Sequence, residues 1–370
     1  MHDPTLQRFP REIAAYLRRT ALLALLALAF VAGPVPAMAG DAAPSQRLRI
    51  LVTGNLQGTL LPTWHCTGES IGGLPRRMSF VHFLRQESAE EAVPLLLIDN
   101  GAFFGRESEF QLFYAEFYAA VFNRMGYDVI NLGAPELTQG DAVIDRMVQP
   151  AGFSLIGGNV RRKAADTPWR PYMVKTIGGV RVAMIGMVGP DRLAASGGVE
   201  SGPPHQALRT LIEEIGDQAD LVILMAQMTP FQAAALTEDI PGVDITVTGF
   251  SSDPFHDETP AGMLLMSPGS NGQFVGVLDV EVDLGRKNGT APRADVTFFA
   301  LDESLPDDPS FFDMTQALND QIDNARAEAY ALRKIIGQQK ASSMVEETRN
   351  MSPEEFLKNY DHRLNRKQEQ

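Results

Sequence analysis

From Arg47 onward the chain alternates short runs rich in Leu, Val and Ile with longer amphipathic stretches, and this alternation constrains the fold more than any other feature. Short apolar runs bounded by turn residues read as buried strands, while apolar positions recurring every three or four residues read as helix faces. Strands are expected at Leu48–Thr53, Pro94–Asp99, Asp128–Asn131, Phe153–Gly157, Val180–Val188, Leu221–Ala226 and Val243–Gly249. Helices are expected at Gly73–Glu87, Ser108–Met125, Gly140–Val148, Gln206–Gln218 and Pro230–Glu238. Strands separated by helices point to an α/β fold with a largely parallel sheet. Gly262–Ser267, Phe274–Leu284 and Ala294–Leu301 follow one another without helices, so the core is expected to end in antiparallel strands.

The character changes at Pro306-Asp307-Asp308-Pro309. Beyond it Phe311, Met314, Leu318, Ile322, Ala325, Ala329, Leu332 and Ile336 form one apolar stripe at helical spacing. Packing of the stripe onto the domain is favoured over self-association through this helix as a coiled coil. Ser352-Pro353-Glu354-Glu355 supplies a cap, a first-turn proline and a capping-box glutamate for a second helix.

The N-terminus reads as an export signal. Arg8, Arg11, Arg18 and Arg19 precede an apolar run from Ala21 to Gly33, which is too short to span a bilayer, and Ala37-Met38-Ala39 offers small residues for cleavage. The expected division is a cleaved signal over 1–39, a domain over 40–305 and a helical extension over 306–370. Residues 1–39 carry four of the 32 basic and two of the 46 acidic residues, so their removal takes the net charge from -14 to -16. Such acidity disfavours nucleic acid or anionic lipid as a partner. No later stretch is apolar enough for a membrane span, and a periplasmic or secreted location is expected. The single Cys66 excludes an intramolecular disulfide or a thiolate-rich metal site.

Six segments, in order, resemble the metallophosphoesterase (calcineurin-like) domain of the 5'-nucleotidase and 2',3'-cyclic phosphodiesterase family. Thr53-Gly54-Asn55-Leu56-Gln57-Gly58 resembles its Thr-Asn-Asp-x-His-Gly, and Gly72-Gly73-Leu74-Pro75-Arg76-Arg77 its Gly-Gly-Leu-Ala-Arg-Arg. Leu95–Gly105 is similar to Leu-Leu-Asp-Ala-Gly-Asp-x-Phe-x-Gly, and Met125–Glu136 to the stretch ending in Gly-Asn-His-Glu. The Gly178–Gly186 hairpin and Val243–Gly249, the strand before Gly-His-x-His, complete the set. The resemblance implies a four-layer α/β/β/α sandwich over roughly Arg47–Leu301. It also implies chemistry at two bridged divalent metals, which polarise a phosphoryl group and lower the pKa of the attacking water.

The positions that the resemblance assigns to metal ligands carry other residues. Asp and His of the first motif fall at Asn55 and Gln57, the Asp of Gly-Asp at Ala102, and Asn-His at Ala134 and Pro135. The lone histidine after the Leu221 strand falls at Gln227, and the two of Gly-His-x-His at Phe250 and Ser252. Losing the anionic and imidazole donors removes the drive to bind a divalent ion. The expectation is therefore a degenerate member with no catalytic residues and no cofactor, which binds a small anionic ligand or a protein partner. The alternative is a 5'-nucleotidase-type phosphoester hydrolase with an atypical divalent site, such as Mn or Zn. A mononuclear site at His256 with Asp253 is the weaker form of that alternative; a solvated loop histidine is the plain reading. A third reading is a thiol or metal-handling accessory acting through Cys66 beside His65 and Trp64, in a loop expected to open near the vacated pocket. Arg76 and Arg77 are candidates to hold a phosphate or carboxylate, with surface ion pairs as the competing role. Phe110, Phe113, Tyr114, Phe117, Tyr118 and Phe122 exceed one core stripe, leaving Tyr114 or Tyr118 for a surface patch.

Overall fold

The computed structural model describes residues 6–8, 45–64, 68–105, 109–164, 166–189, 193, 198–260, 262–284 and 292–349, the side chains of 6–8 and 336–349 excepted. It divides into two units, Met1–Thr315 and Gln316–Gln370.

The first unit is built on two sheets. Its strands in chain order are β1 Leu6–Arg8, β2 Ser45–Thr53, β3 Thr63–Trp64, β4 Ser70–Ile71, β5 Leu95–Asp99, β6 Val129–Asn131, β7 Ser154–Ile156, β8 Val160–Arg162 and β9 Tyr172–Ile177. They continue as β10 Val180–Val188, β11 Val199–Ser201, β12 Leu221–Gln227, β13 Ile245–Thr248, β14 Phe255–Glu258, β15 Leu264–Ser267, β16 Phe274–Asp283 and β17 Arg293–Ala300. The seven-stranded sheet runs β1-β17-β16-β2-β5-β6-β7 and the six-stranded sheet β14-β15-β13-β12-β10-β9. The β2-β5-β6-β7 and β10-β12-β13 runs are parallel, as buried Leu- and Val-rich strands require.

The two sheets pack face to face through Leu48, Ile50, Leu96, Ile98, Val182, Met184, Ile223, Ile245 and Leu278, all essentially without exposure. Helices cover the outer faces. On the first sheet, α1 Leu74–Glu90 sets Phe80 5.1 Å from Phe299 of β17, and α2 Gln111–Met125 follows β5. After β6 come the short α3 Ala134–Thr138 and α4 Asp141–Val148. On the second sheet, α5 Pro204–Ile215 and α6 Pro230–Thr237 bury Leu208, Leu211, Ile215, Ala233 and Leu236 against Ile185, Met187 and Leu224. The result is the α/β/β/α sandwich.

Differences from the expected elements have physical causes. Leu264–Ser267 pairs in parallel with β13 and antiparallel with β14, so only β16 and β17 form the expected antiparallel ending. β14 carries one apolar residue in Phe-His-Asp-Glu and lies at a sheet edge, where alternation does not announce a strand. Gly178 and Gly179, both at positive φ, turn β9 into β10 as the hairpin reading requires.

A long helix, α7 Pro309–Arg349, continues into the second unit. The expected second helix start at Ser352 lies outside the described residues, and so does the expected export signal over residues 1–39 except for Leu6–Arg8, which form β1 and pair in parallel with β17. No helix among the described residues is long and apolar enough to cross a membrane.

Candidate functional site

The aligned motifs converge where the parallel strands of both sheets end, which is where open α/β folds place their binding crevice. Asn55 and Gln57 follow β2, Ala102 follows β5, Ala134 opens α3, Gln227 ends β12 and Phe250 follows β13. The segments are tied by backbone: Asn55 N–H donates to Gly101 O at 2.8 Å and Gln57 N–H to Ala102 O at 2.9 Å.

Four of these positions share an unusual backbone. Asn55, Gln57, Ala102 and Phe250 have φ of 52°, 52°, 57° and 53°. Left-handed backbone costs a residue with a Cβ about 1 kcal/mol or more, and it persists only where the surroundings enforce it. The left-handed turns thus fall at positions whose side chains offer no carboxylate or imidazole. Gly101 (φ +81°) is obligatory, since a Cβ there would lie 2.3 Å from Asn131 O.

Neutral amides fill the centre. Asn55, Asn100, Asn131 and Gln227 have no exposure. Gln227 Nε2 donates to Asn55 Oδ1 at 3.2 Å and to Asn100 O at 2.5 Å, and Asn55 Nδ2 donates to Gly269 O at 3.0 Å. Asn131 Nδ2 donates to Asn100 Oδ1 at 3.2 Å and reaches across the sandwich to Met225 O at 2.8 Å. Asn100 Nδ2 reaches Val247 O at 3.2 Å. These amides join the ends of the two sheets by hydrogen bonds that need no ion.

Two buried carboxylates stand near this network, and both are engaged. Glu136 accepts from four backbone N–H groups: Ala102 (3.0 Å) and Gly133 (2.8 Å) on Oε2, Phe103 (2.8 Å) and Phe104 (3.0 Å) on Oε1. Burial pushes its pKa above the usual carboxylate range, and the four N–H donors oppose that shift. Asp99 faces Arg77 Nη1 at 3.5 Å, accepts from Thr53 Oγ1 at 2.6 Å and from Gly101 N–H at 2.8 Å. Burial again raises its pKa, against the pull of Arg77, Thr53 and Gly101. Thr53 Oγ1 also lies 2.7 Å from the Tyr127 hydroxyl, whose pKa burial pushes up to about 12. Neither Glu136 nor the three network asparagines and glutamine form a set that spacing alone identifies. The available signal is a polar residue ending an otherwise apolar strand at Asn131 and Gln227, or just following one at Asn100, and an acid inside Leu-Gly-Ala-Pro-Glu-Leu.

The other candidates separate from this centre. Ser252 is exposed and donates to Asp253 Oδ2 at 3.0 Å. Pro135 lies in the first turn of α3. His256, on β14, is exposed with its ring centroid 6.1 Å from that of Phe298. Among the described residues no three His, Cys, Asp or Glu side chains gather as a metal site. Arg76 and Arg77, expected as candidates for an anion, are instead turned inward. Arg76 is 8% exposed and donates to Ser70 O and Leu301 O, while Arg77 has no exposure and pairs with Asp99. Trp64 is 76% exposed at the end of β3; His65 and Cys66 lie outside the described residues. Of the aromatic helix residues, Phe117, Tyr118 and Phe122 are buried and Tyr114 is half-buried.

No family model matches the chain. A 5'-nucleotidase of Bos taurus is 25% identical over 327 residues, which cover 79% of this chain and 54% of the relative. A 5'-nucleotidase precursor from Thermus thermophilus superposes with a TM-score of 0.65 at 19% identity, over 75% of this chain and 59% of that one. The calcineurin-like phosphoesterase YfkN from Bacillus subtilis gives 0.62 at 18% identity, over 75% of this chain and 98% of that one. The chain thus has the metallophosphoesterase fold and is related to the 5'-nucleotidases, and it spans about half the length of the curated relatives it matches.

This similarity corrects the expectation of no cofactor. The relatives are named 5'-nucleotidase, the family whose resemblance implies two divalent metals, so a divalent ion stands among the groups this chain has to be tested against. The residues at the aligned positions do not fit a dinuclear centre. They offer amide oxygens and one hydroxyl, with no carboxylate or imidazole, and the two nearby carboxylates are held by Arg77 and by backbone N–H groups. Gln227 Oε1 and Asn131 Oδ1 are buried without partners. These neutral oxygens suit a buried water better than a doubly charged ion whose charge no anion offsets.

Proposed function

We propose that this relative of the 5'-nucleotidases is an exported protein that acts by binding, and that its crevice has exchanged dinuclear-metal phosphoester hydrolysis for a hydrogen-bonded amide hub. The observation that carries the reading is the pairing of left-handed turns at Asn55, Gln57, Ala102 and Phe250 with the buried Asn55–Gln227–Asn100–Asn131 network. Of the two occupants expected, a small anionic ligand has the weaker support, since Arg76 is 8% exposed and Arg77 has no exposure, so neither guanidinium is presented to solvent. A protein partner or an uncharged small molecule remains. The N-terminal pattern supports a periplasmic or secreted location, tested by fractionating cells that express the full chain.

A second reading has its own support. The relatives' names favour a phosphoester hydrolase with an atypical divalent site. Assay of the purified protein against bis(p-nitrophenyl) phosphate and AMP, with and without manganese, separates the two. Metal-dependent turnover abolished by a chelator overturns the binding reading; its absence across both substrates overturns the hydrolase.

A further inference from the structure

A cleft of about 680 Å³ opens beside α6, against the segments that lead into β13 and β15. It lies at the N-terminal ends of those parallel strands, whereas the amide hub sits where the strands of the same sheet finish, so the two sites are separate. One wall is a helix face. Phe231, Ala234, Ala235 and Glu238 line it at the i, i+3, i+4, i+7 spacing that puts four side chains on one side of a helix. Glu238 caps the C-terminus of α6, so the Phe231 ring and the Glu238 carboxylate stand at the two ends of this wall, about 10 Å apart along the axis. Ile240, Val243 and Met263 form an apolar floor, being buried members of the core behind it. Phe231 is 84% exposed, more than any other large apolar side chain among the described residues, and an apolar group so placed at a concave surface marks a binding face.

The charge of the cleft selects the occupant. Among the described residues no Lys or Arg lines it, while Glu238, Asp239 and Asp244 do. Two of these carboxylates are already engaged. Asp239 lies 2.7 Å from His205 Nε2 and 3.1 Å from Arg209 Nη2, and Asp244 accepts the Val222 N–H at 2.8 Å. Glu238 is exposed and has no ionic partner among the described residues. It stands beside the last carbonyls of α6, the negative end of the helix dipole. An anion is therefore repelled. A neutral apolar molecule that fills the cleft desolvates the Glu238 carboxylate and gives it no counter-charge. A cation on an apolar body satisfies both ends of the wall.

We propose that this cleft binds a lipophilic organic cation, a monovalent ammonium on an aryl or alkyl body, with the body against Phe231 and the cationic head at Glu238. This site goes beyond the reading of the crevice and does not depend on it.

The full chain is titrated by calorimetry with 4-phenylbutylamine, 4-phenylbutanol and 4-phenylbutyrate, which carry a cationic, a neutral and an anionic head on one body. Saturable one-to-one binding of the amine is expected, about fivefold or more tighter than the alcohol, with no saturation by the butyrate. Glu238→Gln is expected to weaken the amine by about threefold or more and to leave the alcohol unchanged, which separates loss of the charge from loss of the fold. Phe231→Ala is expected to weaken amine and alcohol alike. Both positions are exposed, so each variant should keep the melting temperature of the parent. Absence of saturable amine binding overturns the proposal. So does alcohol or butyrate binding as tight as the amine, or full amine affinity in either variant. Manganese-dependent turnover, or its absence, bears on the crevice alone.

Discussion

Glu136 is the residue on which the local architecture of the crevice depends most, and Glu136→Gln tests that dependence. Its carboxylate serves four backbone N–H groups, two on each oxygen. In the glutamine variant the amide oxygen can keep the Phe103 and Phe104 donors, but the NH2 then confronts the Ala102 and Gly133 donors. Leaving two buried N–H groups without acceptors costs about 1–3 kcal/mol each. Relief of the burial that raises the Glu136 pKa offsets part of this, so a net loss of about 2–4 kcal/mol is expected. With a urea slope of about 3 kcal/mol/M for a domain of this size, the midpoint falls by about 1 M. Urea denaturation followed by circular dichroism measures it. Hydrogen exchange should show the Ala102, Phe103 and Phe104 amides losing protection first, because the loop opens before the sheets do. A midpoint shift below about 0.3 M with those amides still protected would refute the claim that the carboxylate holds the loop.

Further expectations follow from the same packing. Gly101→Ala places a Cβ 2.3 Å from Asn131 O at φ +81°, so stability should fall by about 3 kcal/mol or more, and a loss under about 1 kcal/mol by urea denaturation would count against the described turn. For the buried Arg77–Asp99 pair, Arg77→Met alone should cost about 3–5 kcal/mol, whereas Arg77→Met with Asp99→Leu should recover much of that; a strictly additive double-mutant cycle would show that the two charges are not coupled. Burial raises the pKa values of Asp99, Glu136 and Glu87, so the folded state holds those protons more tightly than the unfolded one. Their contribution is full below the ordinary carboxylate range and is lost as pH rises through the raised values. The urea midpoint should therefore decline from about pH 4.5 upward, less steeply in Glu136→Gln; a midpoint that climbs over that window contradicts the assignment.

Much of this architecture is legible in the sequence because the strands that form the inter-sheet core are fully apolar. Val180–Val188 appears with the predicted bounds, and Leu95–Asp99 and Leu221–Gln227 differ from their predictions by one residue at one end. Elements that bury little escape the reading: Phe255–Glu258 lies at a sheet edge, and Tyr172–Ile177, whose residues are half-buried or exposed, shows no apolar run. At the crevice the order of the motifs brings the aligned positions to one end of the sandwich, but contacts across it are beyond local pattern. Gln227 and Asn55 are 172 residues apart, and only the fold makes them partners. Arg77 reads as a surface arginine at a helix start, yet it is drawn inside because Asp99 ends the neighbouring strand. Glu136 stands where the family motif keeps its glutamate, and its role emerges only when the loop it caps is seen to turn toward it.

The central claim is that an amide hub has replaced phosphoester chemistry in this crevice. Its most direct test is initial-rate hydrolysis of bis(p-nitrophenyl) phosphate and AMP by the full purified chain incubated with manganese, with bound metal counted after desalting. The account predicts no metal-dependent turnover above the protein-free rate; two tightly held ions accompanied by chelator-sensitive turnover would contradict it.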